Sequence, residues 1–170
     1  MSISSIINKL LFITLALLFV LELHNTLSFP THRGFDAPAH IDYVRYLQKY
    51  NKIPLPAEGW EMYQPPLYYL LVSKFPSLSS LWLFKIILWT ALVVTSYLYF
   101  RSLSTTLLVI SLPVVVYMSL PISNEFLSFI FITVTMVYYQ THLPARNLRS
   151  YIFLGMLLGL SLLAKATGVI

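Results

Sequence analysis

Long apolar runs dominate this chain and decide what it can fold into. The run Leu10-Leu11-Phe12-Ile13-Thr14-Leu15-Ala16-Leu17-Leu18-Phe19-Val20-Leu21 lies within residues 6–26. A helix needs about 20 such residues to cross a bilayer. Comparable runs cover 80–100, 106–120 (with Pro113 inside), 126–140 and 151–170, and a shorter one covers 66–79. Lipid offers no partner to backbone N–H and C=O groups, so such runs must be helical. The expected fold is all-α, a polytopic transmembrane helix bundle in a single membrane domain. Of 170 residues, 58% are apolar and only 10% charged, against roughly 25% charged in a soluble domain. That excludes an ordinary water-soluble enzyme and a disordered chain. Cysteine is absent, so disulfides, thiolate metal sites and cysteine nucleophiles are excluded. The net charge is +5, but the cations sit singly at the ends of apolar runs. That is membrane topology, and it gives no nucleic-acid surface.

The first run leaves through Glu22-Leu23-His24-Asn25 with no small-x-small site, so it reads as an uncleaved anchor. Glu22 and His24 read as interfacial. Residues 29–65 form the one long polar stretch. Its four acids (Asp36, Asp42, Glu58, Glu61) match its four basic residues (Arg33, Arg45, Lys49, Lys52), so it is expected outside. Asp36 sits where a helix N-cap would be, with Pro38 in the first turn. A helix over 38–50 would place Ile41, Val44 and Leu47 on one stripe and Arg45, Lys49 and Lys52 on another. That is an amphipathic helix on the membrane surface. Arg101, Arg146 and Arg149 vote for the inside. Both votes hold with the loop outside only if 66–75 does not fully cross, and ten helical residues rise only about 15 Å. The chain stops inside its last apolar run, so it is expected to be the first part of something longer. The loop has no Asn-x-Ser/Thr acceptor, which favours the plasma membrane of a prokaryote over the ER membrane.

Four clusters of residues have chemical potential. Asp36 and His40, four apart, share one face at the start of the loop helix, an arrangement suited to general base work. The plain reading is a cap and an interfacial histidine. Tyr63-Gln64-Pro65-Pro66-Leu67-Tyr68-Tyr69-Leu70-Leu71 is an extended approach followed by a helix start, with tyrosine hydroxyls expected to stay wet. Ser123-Asn124-Glu125 places an acid near the N-terminus of the next helix, where the dipole favours it. Lys165 lies within an apolar run, where a cation costs about 3 kcal/mol unless it snorkels or pairs. A phosphate is its natural partner. Lys85, nearer a helix end, reads as snorkelling.

In this order the four clusters resemble the N-terminal part of the GT-C superfamily of integral membrane glycosyltransferases. That group includes protein mannosyltransferase and lipid A aminoarabinose transferase type enzymes. The matching residues are Asp36-Ala37-Pro38-Ala39-His40, then Gln64-Pro65-Pro66-Leu67-Tyr68-Tyr69-Leu70-Leu71, then Ser123-Asn124-Glu125, then Gly159-Leu160-Ser161-Leu162-Leu163-Ala164-Lys165-Ala166-Thr167-Gly168.

The resemblance implies a polyprenyl-phosphate-linked sugar as donor and an acceptor, a protein or lipid glycan, attacking on the outer face. Asp36 would be the base, with His40 tuning it and Glu125 orienting the acceptor, a metal or a cationic partner. Lys165, Arg45 and Lys49 would meet the phosphate, and Tyr63, Gln64 and Asp42 would complete the substrate site. A divalent metal is allowed and no other cofactor is called for. Membrane lipid and a missing C-terminal part as a second chain are the other expected partners. The chain departs from the pattern at Ala37, where many relatives have a second acid, and at Glu125, where Asp is usual. A non-catalytic membrane subunit or an inactive truncated remnant is the alternative. A transporter fits less well, since only Lys85 and Lys165 fall within the spans.

Overall fold

The computed structural model describes residues 3–142 and 147–166, and among them it is helical throughout, with no strand. The elements are α1 (Ile3–Ser28), α2 (Ala37–Tyr50), α3 (Leu67–Val72), α4 (Trp82–Phe100), α5 (Leu103–Ile110), α6 (Pro113–Ser119), α7 (Glu125–His142) and α8 (Leu148–Ala164). Short 3₁₀ turns cover Pro56–Glu58 and Leu78–Leu81. Two helical stretches are long and apolar enough to cross a membrane: Ile3–Ser28, of 26 residues, and Leu78–Phe100, of 23. At 1.5 Å per residue these measure about 39 and 35 Å, against a hydrocarbon core of about 30 Å.

Helix α1 runs antiparallel to α4, and α7 to α8. Asn8 and Phe12 of α1 lie beside Tyr97, Leu98 and Arg101 at the far end of α4. Phe19 meets Trp89 edge to face further along. Tyr138, late in α7, packs on Phe153, early in α8. Helix α7 rests on both α8 and α4. The ends of α1, α6 and α8 and the starts of α4 and α7 therefore share one end of the bundle. The connection 29–66, with α2 and α3, covers that end.

Helix α1 buries only Glu22 and Thr26 and leaves Leu10, Ile13, Leu17 and Val20 exposed. This inverts the pattern of a soluble helix, which hides its apolar face. Glu22 and Lys85, read from sequence as interfacial and snorkelling, are both buried, at 3% and 8% exposure. Glu22 lies within electrostatic reach of Lys85, beside the hydroxyls of Thr26 and Ser119. The Lys85 ammonium donates to the Leu120 carbonyl where α6 ends. The two charged side chains face the interior of the bundle, where polar groups lie within reach.

Several boundaries differ from expectation. The span expected over 106–120 is two short helices, because Pro113 lacks an N–H and drives Leu112 into an extended conformation (φ −59°, ψ 130°). Ser111 ends α5 and Pro113 opens α6. Helix α3 spans six residues, about 9 Å, too short to cross. The apolar stripe Ile41, Val44 and Leu47 of α2 faces the protein core rather than lipid. The last helix stops at Ala164, and Lys165 follows it with extended backbone (φ −153°, ψ 125°). The expected stretch 167–170 and Arg146 lie outside the described residues.

Losing Lys85 alone would leave Glu22 buried without the cation in its electrostatic reach. Lys85→Met is therefore expected to lower the unfolding midpoint in detergent more than the double variant Glu22→Gln/Lys85→Met. Additive effects in a double-mutant cycle would show that the two charges are independent.

Candidate active site

Gly34 starts the approach to the site. It holds φ +133°, and a Cβ there would meet Ala37 Cβ and Pro121 Cβ, each at 3.1 Å. A glycine is thus required both for the turn and for the contact of the loop with the turn before α7. Two residues on, Asp36 occupies the N-cap of α2. Its backbone carbonyl accepts from His40 N, yet its side chain makes no capping bond. The carboxylate lies instead with Oδ2 3.2 Å from His40 Nε2. The angle is poor for a hydrogen bond, so Nε2 is buried without one.

His40 is 1% exposed, and its Nδ1 lies 2.6 Å from the Tyr69 hydroxyl. Tyr69, fully buried, stacks on Tyr43 with ring centres 3.8 Å apart and planes 4° from parallel. Burial pushes the Tyr69 hydroxyl up, so it stays protonated in this contact with Nδ1. Burial also holds His40 below the ordinary histidine value, while the carboxylates of Asp36 and Glu61 pull the other way. Tyr68 and Tyr69, expected to be wet, are both buried. The cause is α3, which lies under α2 and so takes its tyrosines into the core.

Glu61 is the residue that sequence reasoning passed over. It is 6% exposed and has φ +61°, a left-handed conformation that L residues adopt at a cost. Its carboxylate accepts from Trp60 Nε1 at 2.9 Å, Gln64 Nε2 at 2.7 Å and the Tyr63 hydroxyl at 3.5 Å. The signal available was the turn Gly59-Trp60-Glu61 just ahead of the proline pair. Gln64 faces two ways, since its Oε1 accepts from Asn124 Nδ2 at 3.2 Å. That same Nδ2 donates to the Ala164 carbonyl at 2.9 Å. Asn124 is fully buried, and its Oδ1 has no hydrogen-bond partner.

Glu125, the first residue of α7, is 2.7 Å from Lys165 Nζ. Lys165 is expected from sequence within a membrane helix. It lies just past the helix end, part-buried, with this acid as its partner. It also sits within electrostatic reach of His40. Tyr117, Met118, Phe129 and Ile132 wall a groove that ends at this pair.

The structure therefore gathers Asp36, His40, Gln64, Glu125 and Lys165, with Glu61, Tyr69 and Asn124 between them. Arg45 and Lys49 stay apart, on the exposed face of α2. Arg45 pairs with Asp42 at 3.6 Å, and Lys49 lies over the Tyr50 ring. Tyr63 is 62% exposed, and only its hydroxyl reaches inward, to Glu61. Among the described residues no three His, Cys, Asp or Glu side chains are grouped so as to hold a metal ion. No family model, curated protein or solved structure matches the chain.

Because the folded His40 value is depressed, its neutral form stabilises the fold. That stability is complete above the free-histidine value of about 6.5 and is lost as pH falls below it. The unfolding midpoint in detergent is expected to drop between about pH 7.5 and 5.5, and to drop less in His40→Gln. Equal drops in both proteins would clear His40 of the effect.

Proposed function

We propose that this chain forms the outer-face catalytic end of a multi-pass membrane glycosyltransferase that uses a polyprenyl-phosphate sugar. The observation behind this reading is convergence. Asp36, Gln64, Glu125 and Lys165 are spread over 130 positions and meet at one end of the bundle through His40–Tyr69, Gln64–Asn124–Ala164 and Glu125–Lys165 contacts. Arg101 and Arg149 lie at the other end, as expected of an inner face. In this reading α1, α4, α7 and α8 cross the membrane, α5 and α6 cross together as a broken helix, and α3 does not cross.

The chemistry is a displacement at the anomeric carbon. An acceptor hydroxyl attacks that carbon as its proton passes to the Asp36 carboxylate. The bond from the anomeric carbon to the phosphate oxygen breaks, and its electron pair leaves with the polyprenyl phosphate. His40 backs Asp36 from the protein side, 3.2 Å away, and is held in turn by Tyr69. Such a base contributes about 10²–10⁴-fold. The leaving phosphate gathers charge and needs a nearby cation. Lys165 lies at the mouth of the apolar groove, and Glu125 holds it there. The groove walls suit a prenyl chain, and the ammonium suits its phosphate.

Membranes carrying the natural gene product are supplied with a panel of undecaprenyl- and dolichyl-phosphate sugars. Asp36→Asn is expected to lower transfer by about 10² or more with unchanged protein level. Normal transfer by this variant removes Asp36 as the base. Binding of undecaprenyl phosphate alone is expected to weaken about ten-fold in Lys165→Met and to persist in Lys165→Arg. Equal binding by Lys165→Met and wild type places the phosphate elsewhere.

A further inference from the structure

A second cavity opens on the other side of Asp36. Phe35, Asp36, Pro38, Ala39, Asp42 and Trp60 line a space of about 460 Å³, enough for a small headgroup. It shares no residue with the groove that ends at Glu125 and Lys165. Phe35 is 93% exposed and Trp60 73%. Exposure of two large aromatic rings on one cavity is costly unless something uses their faces.

The polar character of the wall is one-sided. Its side-chain polar groups are the carboxylates of Asp36 and Asp42, which only accept hydrogen bonds when ionised. The one side-chain donor in the lining, the Trp60 indole N–H, is already given to Glu61. A neutral sugar needs donors and acceptors in its site and would find only acceptors. A ligand that brings donors and positive charge meets two carboxylates and two aromatic faces, both of which attract cations. Asp42 does have a partner, Arg45 at 3.6 Å, with the two side chains 65% and 67% exposed. Such a surface pair contributes little and is readily exchanged. Asp36 is approached from the protein side by His40, whose Nε2 is buried and lacks a hydrogen-bond partner. Burial keeps that histidine neutral, so it does not cancel the carboxylate charge facing the cavity.

We infer that this cavity is the subsite for an ammonium group of the acceptor, primary or quaternary, flanked by Phe35 and Trp60 and held by Asp42 beside the Asp36 base. The assignment to an acceptor rests on the glycosyltransferase reading. The ammonium comes either from a lipid headgroup of the ethanolamine or choline type or from an amine of a soluble acceptor.

The test uses tryptophan fluorescence of the purified protein in phosphatidylglycerol nanodiscs. The chain has three tryptophans, and the difference between wild type and Trp60→Phe isolates Trp60. Choline and ethanolamine are titrated against 3,3-dimethyl-1-butanol, the uncharged isostere of choline. The expected result is a saturable Trp60 response to the two cations and none to the alcohol. Asp42→Asn is expected to weaken it about ten-fold. Asp42 is exposed, so the variant keeps its fold. An equal response to the neutral alcohol, or unchanged choline binding in Asp42→Asn, overturns the proposal. Lys165→Met is expected to bind choline like wild type, so failure of phosphate binding and failure of ammonium binding are read separately. Repeating the ethanolamine titration in phosphatidylethanolamine nanodiscs assigns the source. A response already saturated there identifies the lipid headgroup, and an undiminished response identifies a soluble amine.

Discussion

The side-chain amide of Asn124 joins the parts on which the site depends. Its Nδ2 donates to Gln64 in the covering loop and to the last carbonyl of α8. Loop 29–66, the start of α7 and the end of α8 are thereby held in one register. The orientation of the amide is fixed by its partners, because turning it over would set its oxygen against the Ala164 carbonyl. Without this contact Glu125 and Lys165 would still attract each other, but the side-chain link from Gln64 to α7 and α8 would be lost. Gly34 supports the same junction, since only a residue without Cβ lets the loop approach Pro121.

Around this junction the bundle is built with polar groups inside. Glu22, Thr26, Lys85, Ser96, Ser128 and Ser161 are buried, while much of the leucine and isoleucine of α1 is exposed. In water this would be unstable. In lipid the exposed apolar surface costs nothing, and inward polar groups become the contacts that distinguish one helix face from another. Lys85 illustrates the result. It closes the carbonyl at the end of α6 and lies within reach of Glu22 on α1. Its ammonium group thus ties α4 to the end of α6, within electrostatic reach of α1.

The helices and the clusters of the site were legible because they rest on local rules. Apolar runs give the helices, and Pro38 and Asp36 give the start of α2, whereas 106–120 reads as one continuous span and breaks at Pro113. What stayed hidden depends on tertiary placement. Tyr69 looks like an interfacial tyrosine until α3 is seen beneath α2. Glu61 looks like one of four loop acids until its three side-chain donors are in view. Lys165 looks like a charge in the middle of a span because nothing in Leu162-Leu163-Ala164 announces that the helix stops. Arg45 and Lys49 share a stripe with neither Asp36 nor His40, and helix periodicity could have separated them from the site.

Unmet polarity collects at the end of the bundle that the loop covers. Among the described residues, four buried polar side-chain atoms lack a hydrogen-bond partner: Glu22 Oε1, Thr26 Oγ1, His40 Nε2 and Asn124 Oδ1. Each such atom costs about 1–3 kcal/mol. Two of them belong to the site itself, and Glu61 adds a left-handed backbone directly between them. Stability alone would favour an apolar residue at position 124 and glycine at 61. These costs collect at one end of the bundle, where the covering loop meets the helix ends, and the interiors of α5, α7 and α8 contribute none of the four atoms. A polar substrate able to satisfy these groups would recover part of that free energy on binding. The least relaxed part of the protein is thus the end where the covering loop meets the helices.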